Sequence, residues 1–208
     1  MDRWLSQQLR RARTVTHDAL RDWIRIYDDA LPPDLCVEAC AVVDSLGARS
    51  GVGYRNCTEV SIPAAAGTQL LFDRMRAALR ACFEQYKRDI GSDNLSFITH
   101  IELPTIVRYD PISDRFERHA DVWNPESALR QMTFTAYLND VELGGATAFP
   151  LLDMSVEPKQ GRILMFPPFY LFQHLGMTPI SNPKYVIVGW LCFPPAEKGH
   201  YGTVPLGS

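Results

Sequence analysis

The sequence is poor in the features that mark membrane, nucleic-acid-binding and disulfide-stabilised proteins. No stretch approaches the ~20 consecutive apolar residues that a membrane span needs. Its 21 basic and 24 acidic residues give a net charge of −3, which argues against nucleic acid as the main partner. The five cysteines are odd in number and form no Cys-x-x-Cys pair, so we expect neither a disulfide framework nor a zinc knuckle. These absences predict a cytoplasmic protein with reduced thiols that binds neither nucleic acid nor a membrane.

The chain has 208 residues, enough for one domain with a core of its own. Aromatic residues make up 11%, and 15 prolines and 13 glycines favour a β-rich domain with many turns. Residues 1–22 are predicted to be a helical extension without a signal peptide; its arginines form either a solvated basic face or a docking site for an acidic partner. A domain over 23–193 and a loose tail over 194–208 complete the predicted organisation. The sequence does not indicate the oligomeric state.

Helical patterns come first along the chain and strand patterns second. Pro32 and Pro33 open a helix that Gly47 closes, and apolar residues recur at 3.6-residue spacing from Thr68 to Ile90. Four later segments are rich in β-branched and aromatic residues: 95–109, 132–138, 162–166 and 185–193. This segregation predicts an α+β fold in which the N-terminal helices pack on one face of an antiparallel β-sandwich or barrel.

Histidine is scarce, so each of the five can be considered separately. His119 stands two residues before Asp121 in a segment that we expect to be extended. Residues i and i+2 of a strand point to the same side, so this imidazole and this carboxylate can face one point. His174, or alternatively His100, could supply a second imidazole from a distant strand. Two histidines and one carboxylate are the ligand set of non-haem Fe(II) oxygenases.

A longer series of spaced residues surrounds this candidate triad. In chain order it contains Tyr109, Phe116, Arg130, Thr133, Tyr137, Leu138, Asn139, Gly144, Gly145, Thr147, Phe149, Pro150, Pro158, Lys159, Gln160, Gly161, Phe166, Lys184 and Trp190. In order, spacing and residue type, the segment from Tyr109 to Trp190 resembles the catalytic core of the prolyl 4-hydroxylase family of Fe(II)/2-oxoglutarate dioxygenases. The resemblance covers about 80 of the 208 residues.

The resemblance implies a double-stranded β-helix, or jelly roll, in which His119, Asp121 and His174 are the catalytic Fe(II) ligands. It also implies that Lys184 binds the distal carboxylate of 2-oxoglutarate. Such a buried dicarboxylate needs a fixed cation and hydrogen-bond donors. Tyr109 and Tyr137 are expected to be donors to this cosubstrate or, alternatively, aromatic residues that fill the core. The implied cosubstrates include O2, and ascorbate would be a supporting reductant.

The same resemblance implies hydroxylation of an unactivated C–H bond, with release of succinate and CO2. Our leading hypothesis for the substrate is a prolyl residue in a peptide or protein. The second hypothesis is a free amino acid or small metabolite. The third is a non-catalytic, metal-binding jelly roll that serves as an interaction module. The intact candidate triad and Lys184 argue against the third hypothesis.

Two segments are candidate substrate contacts. Residues 49–56 contain two closely spaced glycines and are predicted to be a flexible loop, either a lid that carries Tyr54 and Arg55 or a plain surface loop. Residues 166–172 are dense in aromatic rings, and we expect Phe169 either to stack on a peptide or to seal the barrel. Trp123, just after Asp121, is a candidate wall of the substrate pocket.

Overall fold

The computed structural model describes residues 17–51, 53–195 and 202–207 of the chain. The α-helices in these ranges are α1 (His17–Arg21), α2 (Pro33–Leu46) and α3 (Gln69–Ile90). α2 begins at the expected proline, and α3 ends before Gly91, which caps it in the left-handed region at φ 67°. Neither these helices nor any other helical turn among the described residues is long and apolar enough to cross a bilayer.

One antiparallel sheet of thirteen strands dominates the described part of the chain. The strands are β1 (Arg25–Tyr27), β2 (Ala48–Gly51), β3 (Arg55–Ser61), β4 (His100–Glu102), β5 (Thr105–Tyr109), β6 (Arg115–His119), β7 (Arg130–Tyr137), β8 (Thr147–Phe149), β9 (Met154–Val156), β10 (Ile163–Phe166), β11 (His174–Gly176), β12 (Lys184–Cys192) and β13 (Thr203–Pro205). Their order is β1-β10-β7-β12-β5-β3-β6-β11-β8-β9, with β2 beside β3 and β4 between β12 and β13. The sheet curls, so that β6, β11, β8 and β9 face the strands that precede β3 in this order.

Alternation along the strands divides the interior into two cores. Ile163 and Met165 of β10 pack with α2 and α3, whereas Leu164 and Phe166 belong to a second core inside the curled sheet. The helices therefore cover one face of the sheet, as predicted. The opposite face surrounds the interior of the half-barrel.

The segment predicted to be a flexible loop at 49–56 is instead part of a β-hairpin. β2 pairs with β3, with Gly51 opposite Asn56. Arg49 donates hydrogen bonds of 2.7 and 2.9 Å to the fully buried carboxylate of Asp114. This ion pair joins the edge strand β2 to the turn before β6. The segment is therefore held in place although it contains two glycines.

The predicted loose tail is corrected at its far end. β13 pairs with β4, with Val204 opposite Ile101. The apolar side chain of Leu206 is buried in the core that packs against α2 and α3, here called the helix-side core. At the other terminus α1 is tied to the domain, since Arg21 Nε donates to the Leu152 carbonyl at 2.6 Å. The rest of the predicted helical extension, residues 1–16, lies outside the described residues, as do 196–201. The domain boundaries at 22 and 193 stay predictions.

Candidate active site

Three side chains of metal-ligand type meet where β6 and β11 lie side by side. The two strands are antiparallel and place His119 opposite His174. His119 Nε2 lies 3.4 Å from Asp121 Oδ1, and His174 Nε2 lies 3.9 Å from Asp121 Oδ2. One ligand atom from each residue lies within 4.8 Å of the others, a spacing that a single metal ion can bridge. The structure therefore brings together the three predicted ligands, whereas His100 lies on β4 opposite Cys192, outside the cluster.

Both histidines are oriented with the same ring nitrogen toward the site. His119 Nδ1 lies 2.7 Å from the Glu117 carbonyl oxygen, and His174 Nδ1 lies 3.2 Å from the Phe172 carbonyl oxygen. Because a carbonyl can only accept, Nδ1 carries the hydrogen and Nε2 keeps a lone pair for a metal. Burial lowers the pKa of His174 to about 4, which keeps this imidazole neutral, as a metal ligand must be.

Asp121 lies beyond the end of β6, so its position does not come from strand pairing. Its backbone N–H donates to the Pro168 carbonyl at 3.1 Å, and its carbonyl accepts from Arg130 Nη1 at 3.0 Å. The Thr133 hydroxyl donates to Asp121 Oδ2 at 2.6 Å. Burial raises the pKa of this carboxyl, but His174, His119 and Thr133 together lower it by more. The group is therefore an ionised carboxylate in a buried position, which suits a divalent metal.

Lys184 is a buried cation on the first residue of β12, with 3% of its surface exposed. Its Nζ lies 5.7 Å from the ring centroid of Tyr109 and 5.5 Å from that of Tyr137. Among the described residues, none forms a hydrogen bond or an ion pair with this nitrogen. Burial lowers the pKa of Lys184 to about 7, an effect that Glu157 partly opposes. An ammonium group in such a position fits a carboxylate that comes from outside the chain.

The two predicted tyrosine donors occupy different positions. Tyr109 lines the cavity beside Lys184, and burial raises the pKa of its hydroxyl to about 12, so it stays protonated at neutral pH. Tyr137 is fully buried and does not line the cavity; its hydroxyl donates to Thr147 Oγ1 at 2.7 Å. Thr147 lines the cavity, so it lies between this tyrosine and any ligand.

These groups open into one cavity of about 560 Å³ inside the curled sheet. His119, Asp121, His174, Lys184 and Tyr109 line it, together with three predicted substrate residues: Tyr54, Arg55 and Trp123. Tyr54 and Trp123 are 53% and 70% exposed, so both stand at the mouth.

A stack of rings connects the mouth of the cavity to the triad. The Tyr54 ring stacks on Phe116 with 5.8 Å between centroids, and Phe116 stacks on His119 at 3.7 Å. The Arg55 guanidinium lies 5.1 Å from the Phe116 centroid and forms a 2.7 Å ion pair with Glu59. Tyr54 and Arg55 are therefore placed by their neighbours beside the triad.

Phe169 does not line this cavity, and its contact with a substrate stays a prediction. It lines a second cavity of about 340 Å³ with Leu20 and Trp23. Other parts of its segment contact the candidate ligands: the Pro168 carbonyl accepts from the backbone N–H of Asp121, and the Phe172 carbonyl lies 3.2 Å from His174 Nδ1. Main-chain hydrogen bonding thus holds this segment against Asp121, whereas the Phe169 ring lines the second cavity.

Sequence reasoning assigned no function to several residues that the structure places at the triad. Thr133 binds the carboxylate of Asp121, and Arg130 binds its main chain. Both belong to the series of spaced residues that surrounds the triad, and membership in that series was the signal that the sequence offered for them. Their partners could not be inferred from it, because Asp121 lies beyond the strand whose alternation predicted its direction.

The comparisons with known proteins agree with this geometry. Residues 104–192 match the model of the 2OG-Fe(II) oxygenase superfamily. A probable prolyl 4-hydroxylase 9 of Arabidopsis thaliana is 32% identical over 122 residues, which cover 45% of this chain and 41% of the plant protein. The chain thus spans about two fifths of the length of this curated relative.

Two solved structures share the fold. A Pseudomonas putida prolyl-4-hydroxylase superimposes with a TM-score of 0.65 at 19% identity, over 86% of this chain and 100% of that one. A prolyl hydroxylase of Trichoplax adhaerens, in complex with a peptide fragment of the hypoxia-inducible factor oxygen degradation domain, gives 0.63 at 17% identity, over 93% and 94%. The double-stranded β-helix is confirmed.

The predicted resemblance to prolyl 4-hydroxylase-like oxygenases is also confirmed. The superfamily matched by residues 104–192 uses Fe(II), 2-oxoglutarate and O2, and the donor set of the triad fits such a metal. The buried ammonium of Lys184, which is paired with no residue in the described part of the chain, fits an anionic cosubstrate.

Proposed function

We propose that this chain, whose residues 104–192 match the 2OG-Fe(II) oxygenase superfamily, is a dioxygenase that hydroxylates a prolyl residue in a peptide or protein, releasing succinate and CO2. One observation carries the proposal: a two-histidine, one-carboxylate triad shares a single cavity with a buried lysine that has no anionic partner among the described residues. A metal site alone would suit many functions. A metal site beside a carboxylate receptor suits a reaction that consumes a 2-oxo acid.

The residues proposed to hold Fe(II) are His119, Asp121 and His174. Three protein ligands on one side of a metal leave its other positions free for a cosubstrate and O2. When bound, the iron and 2-oxoglutarate supply the oxidising chemistry that removes a hydrogen atom from an unactivated C–H bond. The chain itself fixes the ligand geometry through the carbonyl contacts of both Nδ1 atoms and the Thr133 contact to Asp121.

Lys184 is proposed to bind the distal carboxylate of 2-oxoglutarate. Its ammonium lies at the start of β12, opposite Tyr109 in β5, so one cation and one protonated hydroxyl face the same part of the cavity. These two donors would replace the water that a dianion loses on entering the barrel. The side chain of Lys184 is held between two aromatic rings, and its reach is therefore restricted before the cosubstrate arrives.

The substrate would enter between Tyr54 and Trp123. Both rings are exposed, line the cavity and belong to elements anchored elsewhere: Tyr54 through its carbonyl, which accepts from Glu117 N at 2.8 Å, and Trp123 through its N–H, which donates to Ser127 Oγ at 3.0 Å. Aromatic faces of this kind bind prolyl rings and peptide backbones well. A peptide-bound structure among the similar folds supports a peptide substrate.

The test is a mass-spectrometric assay with the purified full chain. Proline-containing peptides of varied flanking sequence are incubated with Fe(II), 2-oxoglutarate and ascorbate under ¹⁸O2. We expect one labelled oxygen on proline, together with succinate, and neither product from the Asp121→Ala variant. Full succinate formation from the Asp121→Ala variant, or no labelled peptide from any sequence, would contradict the proposal.

A small carboxylate-bearing substrate is a second candidate, and Arg55 favours it. The Arg55 Nε is a buried donor without a hydrogen-bond partner among the described residues, and the side chain lines the cavity. Such a donor can receive the free carboxylate of an amino acid, which an internal peptide residue lacks. Free proline is therefore included in the same assay. Labelling of free proline in place of every peptide would favour this second candidate.

A further inference from the structure

We infer that Glu102 and Arg130 form a pair that positions the metal ligand Asp121 through its main chain. The inference rests on the proposed metal site. It assigns a function to two residues outside the triad, of which Arg130 also lines the cavity, and it makes Arg130 a positioning residue.

Arg130 donates three hydrogen bonds, one from each nitrogen of its guanidinium. Nε and Nη2 donate to the two carboxylate oxygens of Glu102 at 2.8 and 2.6 Å, and Nη1 donates to the Asp121 carbonyl at 3.0 Å. The guanidinium lies 3.5 Å from the ring centroid of Trp190, which covers one of its faces. A planar cation held by a carboxylate on one edge and a ring on one face has little freedom to rotate.

This arrangement matters because Asp121 has no strand neighbour. Glu102 ends β4 and Arg130 begins β7, two strands that both pair with β12. The pair therefore connects the sheet to a residue that lies beyond the end of β6, and so restricts the movement of that residue. Together with the Pro168 carbonyl, which accepts from the Asp121 N–H, Arg130 holds both sides of the ligand residue's backbone.

Loss of the Arg130 contact would leave the Asp121–Val122 peptide held through the Val122 N–H, which donates to the Pro168 carbonyl at 3.1 Å. We expect the Asp121 carboxylate then to turn relative to the two imidazoles. Lysine cannot replace arginine here. Its single ammonium cannot bind both oxygens of Glu102 and also reach the Asp121 carbonyl with the same fork geometry. We therefore expect Arg130→Lys to weaken metal binding even though the charge is kept.

The chain contains a matched control in Arg162. Its Nε and Nη2 donate to the Asp28 carboxylate at 2.7 and 3.2 Å, and its Nη1 donates to the Glu157 carbonyl at 2.8 Å. Arg162 thus makes the same three contacts as Arg130, with a similarly buried side chain, but to residues that are not metal ligands. Arg162→Lys reports what the loss of such a pair does to stability alone.

The experiment measures the affinity of the full chain for Mn(II), a redox-stable substitute for Fe(II), by electron paramagnetic resonance. Thermal unfolding is measured in parallel. Changes around a ligand's own contacts typically cost roughly 10- to 100-fold in metal affinity. We expect a loss in that range for Arg130→Lys, a smaller loss for Glu102→Gln, and wild-type affinity for Arg162→Lys, with similar unfolding temperatures for the two arginine variants.

Wild-type Mn(II) affinity in both Arg130→Lys and Glu102→Gln would overturn the inference while leaving the metal site intact. Absence of Mn(II) binding by the wild-type chain would overturn the metal site and, with it, this inference. If Arg130→Lys does not fold, Glu102→Gln decides, because it changes one atom and keeps the shape of the side chain. An equal loss of affinity in Arg162→Lys would show that general destabilisation, and not positioning, is the cause.

Discussion

The two faces of β7 show how one strand serves two purposes. Met132, Phe134 and Ala136 face the helices and belong to a continuous apolar core. The alternate residues, Thr133, Thr135 and Tyr137, are also buried, on the interior face, yet each carries a hydroxyl. A buried hydroxyl is costly unless it has a partner. The helix side therefore stabilises the fold, whereas the interior side carries hydroxyls that bind other polar groups of the site, as Thr133 binds Asp121 and Tyr137 binds Thr147.

β12 repeats the contrast. Ile187 and Leu191 join the helix-side core, while Lys184 and Trp190 line the cavity. The buried ammonium of Lys184 is paired with no described residue, and the indole Nε1 of Trp190 is a buried donor without a hydrogen-bond partner among them. Both of these polar groups lie on the interior face of β12. Buried polar groups without partners lower the stability of a fold, so their presence indicates that this face binds a ligand.

The largest effect is expected at the metal ligands. His119→Ala or Asp121→Ala should abolish 2-oxoglutarate consumption at saturating iron, because the loss of one of three protein ligands removes both affinity and geometry. The fold should survive, since neither residue belongs to the helix-side core. Turnover is measured as succinate formed, with circular dichroism as the control for folding. Activity within threefold of wild type would exclude these residues from the site.

The helix side should respond in the opposite way. Phe134 is fully buried against the helices, and Phe134→Ala should cost about 3–5 kcal/mol of unfolding free energy through the cavity that it leaves. Mn(II) affinity of the protein that remains folded should stay within a fewfold of wild type. Denaturant unfolding and metal titration check the two halves of this prediction. A variant with normal stability and impaired metal binding would contradict the division of the sheet into two functions.

Lys184→Ala should raise the KM for 2-oxoglutarate, because a buried carboxylate would lose its cation. A cost of about 2–5 kcal/mol corresponds to roughly 30- to 4000-fold. Fe(II) affinity in the absence of cosubstrate should change little. Steady-state kinetics with 2-oxoglutarate as the varied substrate measures the effect, and an unchanged KM would mean that the anion binds elsewhere.

The pH dependence of 2-oxoglutarate binding follows from the same residue. Burial lowers the pKa of Lys184 to about 7, and a bound carboxylate favours its charged form, so binding takes up a proton above that pH. Affinity should therefore be highest below pH 7 and fall by roughly tenfold per pH unit above it. In Lys184→Arg this slope should vanish, because arginine stays charged throughout. Calorimetric titration of the Mn(II)-loaded protein measures both, and equal slopes in the two proteins would refute the assignment.

The smallest effect is expected at Thr133. Thr133→Val keeps the shape of the side chain but removes the hydroxyl that donates to Asp121 Oδ2, so the carboxylate should be less well oriented. We expect Mn(II) affinity to fall by roughly tenfold, the lower end for such contacts. Thr135→Val, on the same face but without a hydrogen bond to a ligand residue among those described, is the matched control. Equal affinities in the two variants would remove Thr133 from the orientation of Asp121.

The two long helices and the main site residues can be predicted from the sequence. The helical period from Thr68 to Ile90 and the proline at the start of α2 predicted both long helices, because backbone and packing preferences there act locally. His119 and Asp121 were identified by their spacing, and the resemblance to prolyl 4-hydroxylases added His174 and Lys184. The structure brings all four to one cavity. The short strands β8 and β9 were not predicted, because with three residues each they carry too few alternations to show a period.

The sequence by itself determined which chemistry is available: two imidazoles, a carboxylate and a lysine at characteristic intervals. The tertiary structure decided what each of them touches. Long-range pairing placed His174 opposite His119. The Pro168 carbonyl and the Arg130 guanidinium hold the main chain of Asp121 beyond the end of β6. The same packing directed Phe169 into another pocket and converted a glycine-containing segment into a hairpin. Local patterns cannot encode such contacts, because they depend on residues that are distant in the chain and meet only when the sheet curls.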